Sequence, residues 1–435
     1  MGTIFLTSFH PLISRNILMS GLPAMLSKDR RVVVFVPAKK ADYFRENFSG
    51  PNVIVEGVPT ELSAYDLLIR KIVLASTNTR ALYIKKRTEL YRDHRIFSFL
   101  ASVLPGMLFG RLKFFVRAIQ AIDYRAAKGS PFAAFFDRYR PELAFSTDLQ
   151  NELDVSLLRE AKRRGVKAIG MTRSWDNLTS KGMLRIIPDR LVVQNEIIRS
   201  EAVSYDFVDP EKISVVGIPH YDRYVAAKER LGVRDATSGG GRAAFFSSLG
   251  FDASKRLILF APFGDRYIRG NRTDILILET LSGFDLNILV RLPPTDTVNF
   301  EGFRSRRANV EFYKSGNRAW RGGEKLNELS EADEEHLVRS LAFADLVVTG
   351  QSTIAIDAAV FDKPVIAVAF DHEPRVYWDS VRRYYDYEYY DRFRKVGSVR
   401  FARSAADLFQ LAGTYLENPA LDRAERQRAA ESQAY

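Results

Sequence analysis

The sequence contains no cysteine among its 435 residues. Disulfide bonds, thiolate nucleophiles and cysteine-bound metal sites are therefore excluded for this chain. The absence fits a reducing compartment, and we expect no export signal, because TIFLTS at residues 3–8 has the pattern of a buried strand. These features predict a cytoplasmic protein.

Patterns typical of metal ligands are also lacking. The five histidines include no pair with ligand spacing on one element, and no Asp-x-Asp stands at the end of a predicted strand. We therefore expect a metal-independent site without a bound cofactor, in which basic side chains and helix ends neutralise anionic groups.

Long uninterrupted hydrophobic runs are absent as well. The most apolar segment, IFSFLASVLPGMLFGRLKFFVRAI at residues 96–119, is interrupted by Pro105 and Gly110 and carries three basic residues between positions 111 and 117. A transmembrane helix is therefore not expected. Two interpretations stay open, namely peripheral contact of this segment with the inner face of the cell membrane, or two ordinary core helices.

Charge is unbalanced toward basic residues, with 64 lysines and arginines against 53 acidic residues and a formal net charge of +11. Such an excess suits a nucleic acid, an anionic lipid surface or an acidic substrate, or else forms a solvated basic surface. Zinc-finger spacing, an RNA-binding sheet signature and basic heptads are not found, so nucleic acid is not expected as a partner.

Short runs rich in Val, Ile and Leu recur with helix-length segments between them. The first half contains TIFLTS, RVVVFV, NVIVEG, ELAFST, VKAIGM, RLVVQ and ISVVG, and the second half contains RLILFA, LNILVR, DLVVTG and PVIAVAF. Nearly continuous apolar strands that alternate with helices indicate parallel sheets covered on both faces. The predicted fold class is α/β, with two Rossmann-like, doubly wound domains whose ligand edges lie at the carboxyl ends of the strands.

The length of the chain predicts two domains. We place the N-terminal domain at residues 1–218, a linker that includes TSGGG at 219–255, the C-terminal domain at 256–405, and a C-terminal helix and tail at 406–435. The last dozen residues are polar enough that we expect them to fray.

The clearest candidate site is GQST, which stands between the strand DLVVTG and the apolar segment IAIDAAVF. The first N–H groups of a helix lack intrahelical partners, and hydroxyl groups add further donors. The predicted ligands of a phosphate group are therefore Gly350, Gln351, Ser352 and Thr353. The alternative is simple N-capping by Ser352 or Thr353.

Asp357 is the one charged residue of that apolar segment. A carboxylate is costly to bury unless it is paired or hydrogen-bonded. We expect it to accept a hydrogen bond either from a ribose hydroxyl or from a partner within the fold.

Two further strand ends are predicted at the same edge. APFGDRY places Gly264, Asp265 and Arg266 after RLILFA, and LNILVR ends on Arg291. Glycine permits a close approach of the backbone, and the fork of an arginine suits a pyrophosphate. Each arginine is alternatively a candidate for an interdomain salt bridge.

Three segments resemble GT-B-fold enzymes of surface-glycan assembly. They are the run from PDRLVVQ to GIPHYDRY at 188–224, SSLGFDASKRLILFAP at 247–262, and ADLVVTGQSTIAIDAAVFDKPVIAVAFD at 344–371. The nearest group is that of the CDP-glycerol glycerophosphotransferases and UDP-GlcNAc 2-epimerase-like enzymes, and the resemblance covers residues 140–415. It implies two domains that face a central cleft, with a nucleotide donor held by the C-terminal domain.

The sequence departs from these enzymes at identifiable places. Leu292-Pro293-Pro294 stands where glycerophosphotransferases have a His-Pro pair, GQST replaces their Asp-Tyr-Ser-Ser pattern, and the His-Gly-Asp-Arg-type stretch of the epimerases is not found. The resemblance therefore implies an inverting glycosyltransferase with a nucleotide-sugar donor and a surface-polysaccharide or lipid-linked glycan acceptor. The alternatives are a CDP-polyol phosphotransferase, a UDP-sugar 2-epimerase and a non-catalytic nucleotide-binding scaffold.

The resemblance assigns the acceptor and the general base to the N-terminal domain. His10 follows the first strand, and MTRSWDNLTSKG places Asp176 after a later one; an inverting transferase needs one such group to take the acceptor proton. Alternatively, His10 caps the adjacent helix and Asp176 builds a turn with its neighbour. The predicted acceptor-binding residues are Arg173, Trp175, Asn177 and Lys181.

Overall fold

A computed structural model describes residues 1–232, 240–294, 296–316 and 328–434 of the chain. These residues form two compact units, which divide between His220 and Tyr221. Each unit contains one sheet in which every pair of neighbouring strands is parallel. The predicted α/β class with two doubly wound sheets is therefore confirmed.

The sheet of the first unit has the strand order β3-β2-β1-β4-β5-β6-β7. Its strands are β1 (Thr3–Thr7), β2 (Arg31–Pro37), β3 (Val53–Val58), β4 (Leu143–Ser146), β5 (Lys167–Met171), β6 (Arg190–Val193) and β7 (Ile213–Val215). Each overlaps one of the predicted runs. All of β1 and all but the first residue of β2 are buried, as expected for strands covered on both faces.

The helices of the first unit are α1 (Pro11–Ile13), α2 (Leu22–Leu26), α3 (Ala41–Phe48), α4 (Ala64–Ser76), α5 (Arg80–Asp93), α6 (Ile96–Phe109), α7 (Lys113–Ala126), α8 (Ala133–Tyr139), α9 (Glu152–Arg163), α10 (Asn177–Ser180) and α11 (Glu196–Asp206). A π-helical turn spans Ser14–Leu18, and 3-10 turns span Ala38–Lys40 and Pro210–Lys212.

Alternate residues of the central strands supply two cores, one on each face of this sheet. Phe5 and Phe35 meet edge to face with ring centroids 4.8 Å apart, and Phe136 of α8 packs on Phe5 at 5.0 Å. Leu6 and Val34 belong to a different core cluster. The separation follows from the pleat, because successive side chains of a strand point to opposite faces.

The apolar segment 96–119 forms α6 and the first half of α7. Gly106 and Gly110 bring α6 close to the end of α4, because a Cβ at Gly106 would lie 2.8 Å from the carbonyl oxygen of Ala75 and one at Gly110 would lie 2.6 Å from that of Ser76. Among the described residues, no helix combines the length and the hydropathy that crossing a bilayer requires.

The sheet of the second unit has the order β10-β9-β8-β11-β12-β13. Its strands are β8 (Leu257–Ala261), β9 (Asn287–Leu292), β10 (Asn309–Lys314), β11 (Leu346–Thr349), β12 (Val365–Val368) and β13 (Arg400–Ala402). The two edge strands, β10 and β13, were not predicted. β10 is half-exposed and carries charged residues, and β13 has only three residues, so neither shows the apolar pattern of a buried strand.

The helices of the second unit are α12 (Pro219–Gly232), α13 (Gly240–Ser248), α14 (Thr273–Leu281), α15 (Glu331–Phe343), α16 (Ile354–Val360), α17 (Glu388–Val396), α18 (Ala405–Glu417) and α19 (Arg423–Gln433), with a 3-10 turn at Val381–Asp386. α12 begins two residues before the division between the units. The predicted linker at 219–255 is thus helical over much of its length, and the first three residues of its TSGGG cluster, 237–239, lie outside the described residues.

The C-terminal residues do not fray as predicted but form α19. Arg426 of this helix is 1% exposed, and its guanidinium donates to Asp362 at 3.0 Å and to the carbonyl oxygen of Pro419 at 3.0 Å. This buried arginine anchors a helix whose other residues are mostly polar. Composition alone counts Arg426 as one more polar residue and so predicts fraying.

Candidate functional site

The carboxyl ends of β1 and β4 form the switch point of the first sheet. From here β2 and β3 follow toward one edge of the sheet, and β5, β6 and β7 follow toward the other. Asp154 of α9 joins these two strand ends. Its Oδ1 accepts hydrogen bonds from the Thr7 hydroxyl, from Ser146 Oγ at 3.0 Å and from the Thr147 N–H at 3.1 Å. Burial, with the nearby charge of Asp148, raises the pKa of Asp154. The first residues of the loops that follow β1 and β4 are therefore held in fixed positions.

His10 stands in the first of these loops and caps α1. Its Nδ1 accepts a hydrogen bond from the Leu12 N–H at 3.1 Å. Burial, followed by the positive charges of Arg173 and Lys181, lowers the pKa of His10 to about 3. A neutral imidazole that accepts at Nδ1 carries its proton at Nε2, so Nε2 of His10 is a hydrogen-bond donor. The capping alternative is observed, and the role of His10 as a general base stays a prediction.

The residues after β5 are linked through Asp148, which the sequence did not single out. The Arg173 guanidinium pairs with Asp148 Oδ2, and Asn177 Nδ2 donates to Asp148 Oδ1 at 3.2 Å. Lys181 Nζ then donates to Asn177 Oδ1 at 3.1 Å. The Asp148 side chain is only 4% exposed. A buried carboxylate therefore positions Arg173 and Asn177, and Asn177 in turn positions Lys181.

Asp176 lies just before α10, and its Oδ2 accepts a hydrogen bond from Ser180 Oγ at 2.7 Å. Burial alone would raise its pKa, but Lys181 and the Ser180 hydroxyl hold the pKa of Asp176 below its ordinary value. The carboxylate is therefore ionised at neutral pH. Trp175 is 8% exposed, and its role in binding an acceptor stays a prediction.

The structure brings the predicted residues of the first unit together at one edge of the sheet. Arg173, Lys181 and Asp176 all act electrostatically on His10. Lys40, in the 3-10 turn after β2, acts on the same histidine and is 3% exposed. The sequence analysis missed Lys40. The signal was its position shortly after the strand RVVVFV, which matches the position of His10 shortly after β1. The result is a cluster of cations around a neutral imidazole and an ionised carboxylate.

In the second unit, the switch point lies between β8 and β11. The loop after β8 is held by Asp274 at the start of α14, which accepts hydrogen bonds from the N–H groups of Phe263 at 3.0 Å and Gly264 at 3.1 Å. Gly264 has φ of +93°, and a Cβ there would lie 2.4 Å from Asp296 Oδ2. Both the conformation and the space therefore favour glycine at this position.

Asp265 and Arg266 continue this loop. Asp265 accepts hydrogen bonds from Asn271 Nδ2 at 3.2 Å and from the Thr297 hydroxyl at 3.1 Å. The backbone N–H of Arg266 donates to Asp296 at 3.1 Å, and its side chain is exposed. The loop is thus fastened to the segment after β9, and it presents the arginine to solvent.

The GQST turn follows β11. A Cβ at Gly350 would lie 2.3 Å from the ring of Phe263, so the two loops of the switch point touch. Ser352 Oγ accepts a hydrogen bond from the Ile354 N–H at 3.4 Å, and Thr353 occupies the N-cap position of α16 without a side-chain hydrogen bond of that kind. Gln351 and Ser352 are partly exposed and Thr353 is exposed. Phosphate binding by this turn stays a prediction.

Arg291 differs from the other predicted donor ligands, because it is built into the unit. Its guanidinium donates to His336 Nδ1 at 3.0 Å and to the carbonyl oxygen of Asp333 at 3.2 Å, and it lies 5.0 Å from the ring centre of Tyr313. The Tyr313 and His336 rings stack with centroids 3.5 Å apart. Arg291 is 9% exposed, so the structure gives it a packing role, and its contact with a diphosphate stays a prediction.

Asp357 lies on α16 and is 5% exposed. α16 packs extensively against α19. This burial favours the interpretation in which Asp357 has its partner within the fold, and contact with a ribose remains a prediction.

No protein-family model and no curated protein sequence matches the chain. Solved structures do match over its whole length. UDP-GlcNAc 2-epimerase from Neisseria meningitidis, bound to UDP-GlcNAc, has a TM-score of 0.51 and 11% identity, and the match covers 100% of this chain and 96% of that one. The UDP-GlcNAc 2-epimerase of Methanocaldococcus jannaschii matches at 0.51 with 11% identity, covering 99% and 98%.

A glycosyltransferase is similar to the same degree. The glycotransferase of kitacinnamycin has a TM-score of 0.51 and 12% identity, and the match covers 99% of this chain and 94% of that one. At such identities the likeness shows the fold alone. The chain therefore has the GT-B fold, as its resemblance to GT-B enzymes near the epimerase-like group implied.

Proposed function

We propose that this protein is a glycosyltransferase, which moves a sugar from a nucleotide-sugar donor to a hydroxyl group of a glycan acceptor. The observation that carries the proposal is the switch point of the second sheet, where the loops after β8 and β11 pack together through Gly264 and Gly350. Doubly wound sheets bind nucleotides at such points. The neisserial epimerase, which shares the fold, was solved with UDP-GlcNAc bound, and this supports a nucleotide sugar as donor.

The donor would lie against the second unit. The glycines let Asp296 pack against Gly264 and Phe263 against Gly350, which fixes the two loops beside the proposed diphosphate position. Ser352 and Thr353 supply hydroxyl donors there. Gln351, Asp265 and Arg266 would complete this set. Arg291 would join it only by exchanging a contact with His336, and Asp357 would reach a ribose only from a nearly buried position.

The acceptor would lie against the first unit. In an inverting transfer, the acceptor oxygen forms a bond to the anomeric carbon, the bond from that carbon to the diphosphate breaks, and the acceptor proton passes to a base. Asp176 is the ionised group of the cluster, so we assign the proton to its carboxylate. His10 would donate a hydrogen bond from Nε2, and Arg173, Asn177 and Lys181 would orient the acceptor with Trp175 beside them.

We further propose that the acceptor is a surface-polysaccharide or lipid-linked glycan and that the enzyme acts in the cytoplasm, without a metal ion. The basic cluster of the first unit supports an acceptor with anionic character, because it places Lys40, Arg173 and Lys181 around one site. The predicted contact of residues 96–119 with a membrane would bring the enzyme to a lipid-linked acceptor.

The first test is calorimetric titration of the purified protein with UDP, GDP, CDP and CMP. We expect one nucleoside diphosphate to bind and Ser352→Ala to weaken it by about 1 to 3 kcal/mol, the range for a hydrogen bond to a charged group. Thr414→Ala removes an exposed hydroxyl of α18 that bonds the carbonyl oxygen of Gln410, and it serves as the control because it leaves the proposed donor residues untouched. Absence of binding by all four nucleotides would contradict the proposal.

The second test separates the reactions. A transferase releases a nucleoside diphosphate only with an acceptor present, whereas a polyol phosphotransferase releases CMP from a CDP-polyol. A 2-epimerase changes the sugar of a UDP-sugar without any acceptor, which NMR detects at C2. Binding without turnover across donors and acceptors would favour a scaffold.

A further inference from the structure

Helix α6 exposes a broad apolar surface. Phe97 is 88% exposed, Leu104 is 44% exposed and Leu108 is 63% exposed. With Leu100 and Met107, which are 38% and 57% exposed, these side chains span an arc of about 100° at the 100° step of an α-helix. We call Phe97, Leu100, Leu104, Met107 and Leu108 the apolar face.

The opposite side of α6 is used for packing. Val103 and Gly106 are buried, and Gly106 lies against the carbonyl oxygens at the end of α4. Lys86 of α5 donates to the carbonyl oxygen of Ser102 at 2.6 Å and to that of Leu74 in α4 at 2.7 Å. The helix is therefore anchored with its apolar face outward, and exposure of this face does not result from loose attachment.

The charges around this face have one dominant sign. From Ile96 to Phe109 the helix has no charged residue. Four exposed cations flank it, Arg92 and Arg95 on one side and Arg111 and Lys113 on the other, against one exposed anion, Asp93. Lys113 also lines a cavity of about 900 Å³ beside α7, whose lining contains five basic and two acidic residues. An anionic partner is complementary to this arrangement.

We propose that the apolar face docks on the headgroup region of a bilayer that contains anionic lipids. α6 is about 21 Å long at 1.5 Å per residue, which is shorter than the hydrocarbon core of about 30 Å. It therefore lies in the plane of the interface, with its apolar side chains between the headgroups and its flanking cations on lipid phosphates. The proposal goes beyond the glycosyltransferase reaction and does not depend on it.

A second copy of the chain fits this face less well. In a two-fold dimer through α6, both antiparallel and parallel packing bring cations of one copy next to cations of the other. Like charges brought together in this way oppose association. An anionic lipid surface neutralises both ends of the helix at once.

The test is co-sedimentation of the whole protein with vesicles of phosphatidylcholine and with vesicles that contain phosphatidylglycerol. We expect binding to the anionic vesicles, little binding to the neutral ones, and a loss of binding as salt is raised. Binding that is equal for both compositions, or absent from both, overturns the proposal.

Two variants locate the contact. Phe97→Gln/Leu108→Gln removes apolar area and should lower binding to anionic vesicles by about 10-fold or more. Met25→Gln/Val376→Gln is the matched control, because Met25 and Val376 are 59% and 51% exposed on other elements. The control should bind as the wild type does, and a loss equal to that of the α6 variant overturns the assignment.

The cations are tested in the same way. Arg95→Gln/Lys113→Gln should lower binding by about 25-fold, since each basic residue near an anionic surface contributes about 5-fold. Arg304→Gln/Arg306→Gln removes two exposed arginines of the second unit and should leave binding unchanged. Sedimentation without lipid supplies the last check, because a dimer that Phe97→Gln/Leu108→Gln dissociates would assign the face to self-association and overturn the proposal.

Discussion

The ring of Phe263 lies against Gly350, so closely that a Cβ at residue 350 would come within 2.3 Å of ring carbons. Phe263 is 6% exposed and immediately precedes Gly264. This contact joins the loop after β8 to the turn after β11 at the switch point of the second sheet. The tightness of the proposed donor site thus depends on the absence of a side chain at residue 350.

Gly350→Ala is expected to lower the free energy of unfolding by about 1 to 3 kcal/mol, the usual cost of forcing an extra carbon into a packed site. It should also weaken nucleotide binding, because the loops must separate to admit the methyl group. Chemical unfolding and calorimetry measure the two effects.

Gly21→Ala is the matched control, because a Cβ at Gly21 meets nothing within 4 Å. It should change stability by less than about 0.5 kcal/mol. Phe263→Leu in the Gly350→Ala background should recover part of the lost stability if the clash is the cause. Wild-type stability of Gly350→Ala would mean that Phe263 moves aside freely.

A buried ion cluster gives the second prediction. Asp123 of α7 is 0% exposed and accepts hydrogen bonds from Arg159 at 3.1 Å, Arg185 at 3.0 Å and Tyr65 at 2.9 Å. Asp123→Asn leaves the buried guanidinium group of Arg159 without this counter-charge, and Arg185 keeps only its ion pair with Glu152. The substitution should destabilise the protein by about 3 to 5 kcal/mol in chemical unfolding.

The exposed pair Arg45–Asp42 supplies the comparison. Its N–O distance is 2.8 Å, but the side chains are 50% and 91% exposed. Asp42→Asn should change stability by less than about 1 kcal/mol, because solvent screens such pairs. Equal losses for the two variants would show that burial does not set the strength of these contacts.

The sequence predicts most of the fold, because parallel strands buried on both faces are continuous apolar runs. Every strand of the first unit was predicted in this way. The edge strands of the second unit were missed for the same reason, since Glu311 and Lys314 break the pattern in β10. The helix at 219–232 was missed because the Gly and Pro residues around it favour a linker. The signal for it was Tyr221, Tyr224 and Ala227, which are spaced by three and bury one side of α12.

The sequence predicts that the candidate residues follow strand ends, but it does not predict their contacts. The rule that strand ends meet at one edge is enough to bring His10, Asp176 and Lys181 together. It does not reveal which side chains are already engaged, because this depends on residues far away in sequence. Arg291 meets a stack of Tyr313 and His336, and neither partner follows from the position of Arg291 at the end of a strand.

His10 gives a prediction on pH. Its pKa is about 3 in the folded protein against 6.5 for the free side chain. Between these values the unfolded chain binds a proton that the folded protein does not, so the free energy of unfolding falls as the pH is lowered from 6.5. The contribution of this one group reaches at most about 1.4 kcal/mol per pH unit, and it vanishes above pH 6.5.

His10→Asn should therefore lose less stability than the wild type between pH 6.5 and pH 4.5, as measured by chemical unfolding at each pH. Asparagine places its Oδ1 where His10 has Nδ1 and accepts from the Leu12 N–H, so the cap of α1 is kept. Nitrogen-detected NMR of the wild type should show the proton of His10 at Nε2 throughout this range. A His10 signal that titrates near pH 6.5 would contradict both expectations.

Asp176 provides the last prediction, which tests the proposed chemistry. Its carboxylate accepts from Ser180 at 2.7 Å and has a lowered pKa. If it takes the acceptor proton, Asp176→Asn removes the base and keeps the shape and the acceptor for Ser180. Turnover of the folded enzyme should fall by about 100-fold to 10,000-fold, with nucleotide affinity close to that of the wild type.

Ser180→Ala separates this role from a purely structural one. It removes the hydrogen bond but leaves the carboxylate, so turnover should fall by less than about 10-fold if the hydroxyl only orients Asp176. If Asp176 has only a structural role, Asp176→Asn should lower stability through the lost attraction to Lys181, while the enzyme that remains folded keeps its turnover. An Asp176→Asn enzyme that retains more than a tenth of the wild-type kcat would move the search for the base to Asp148, the neighbouring carboxylate, which pairs with Arg173.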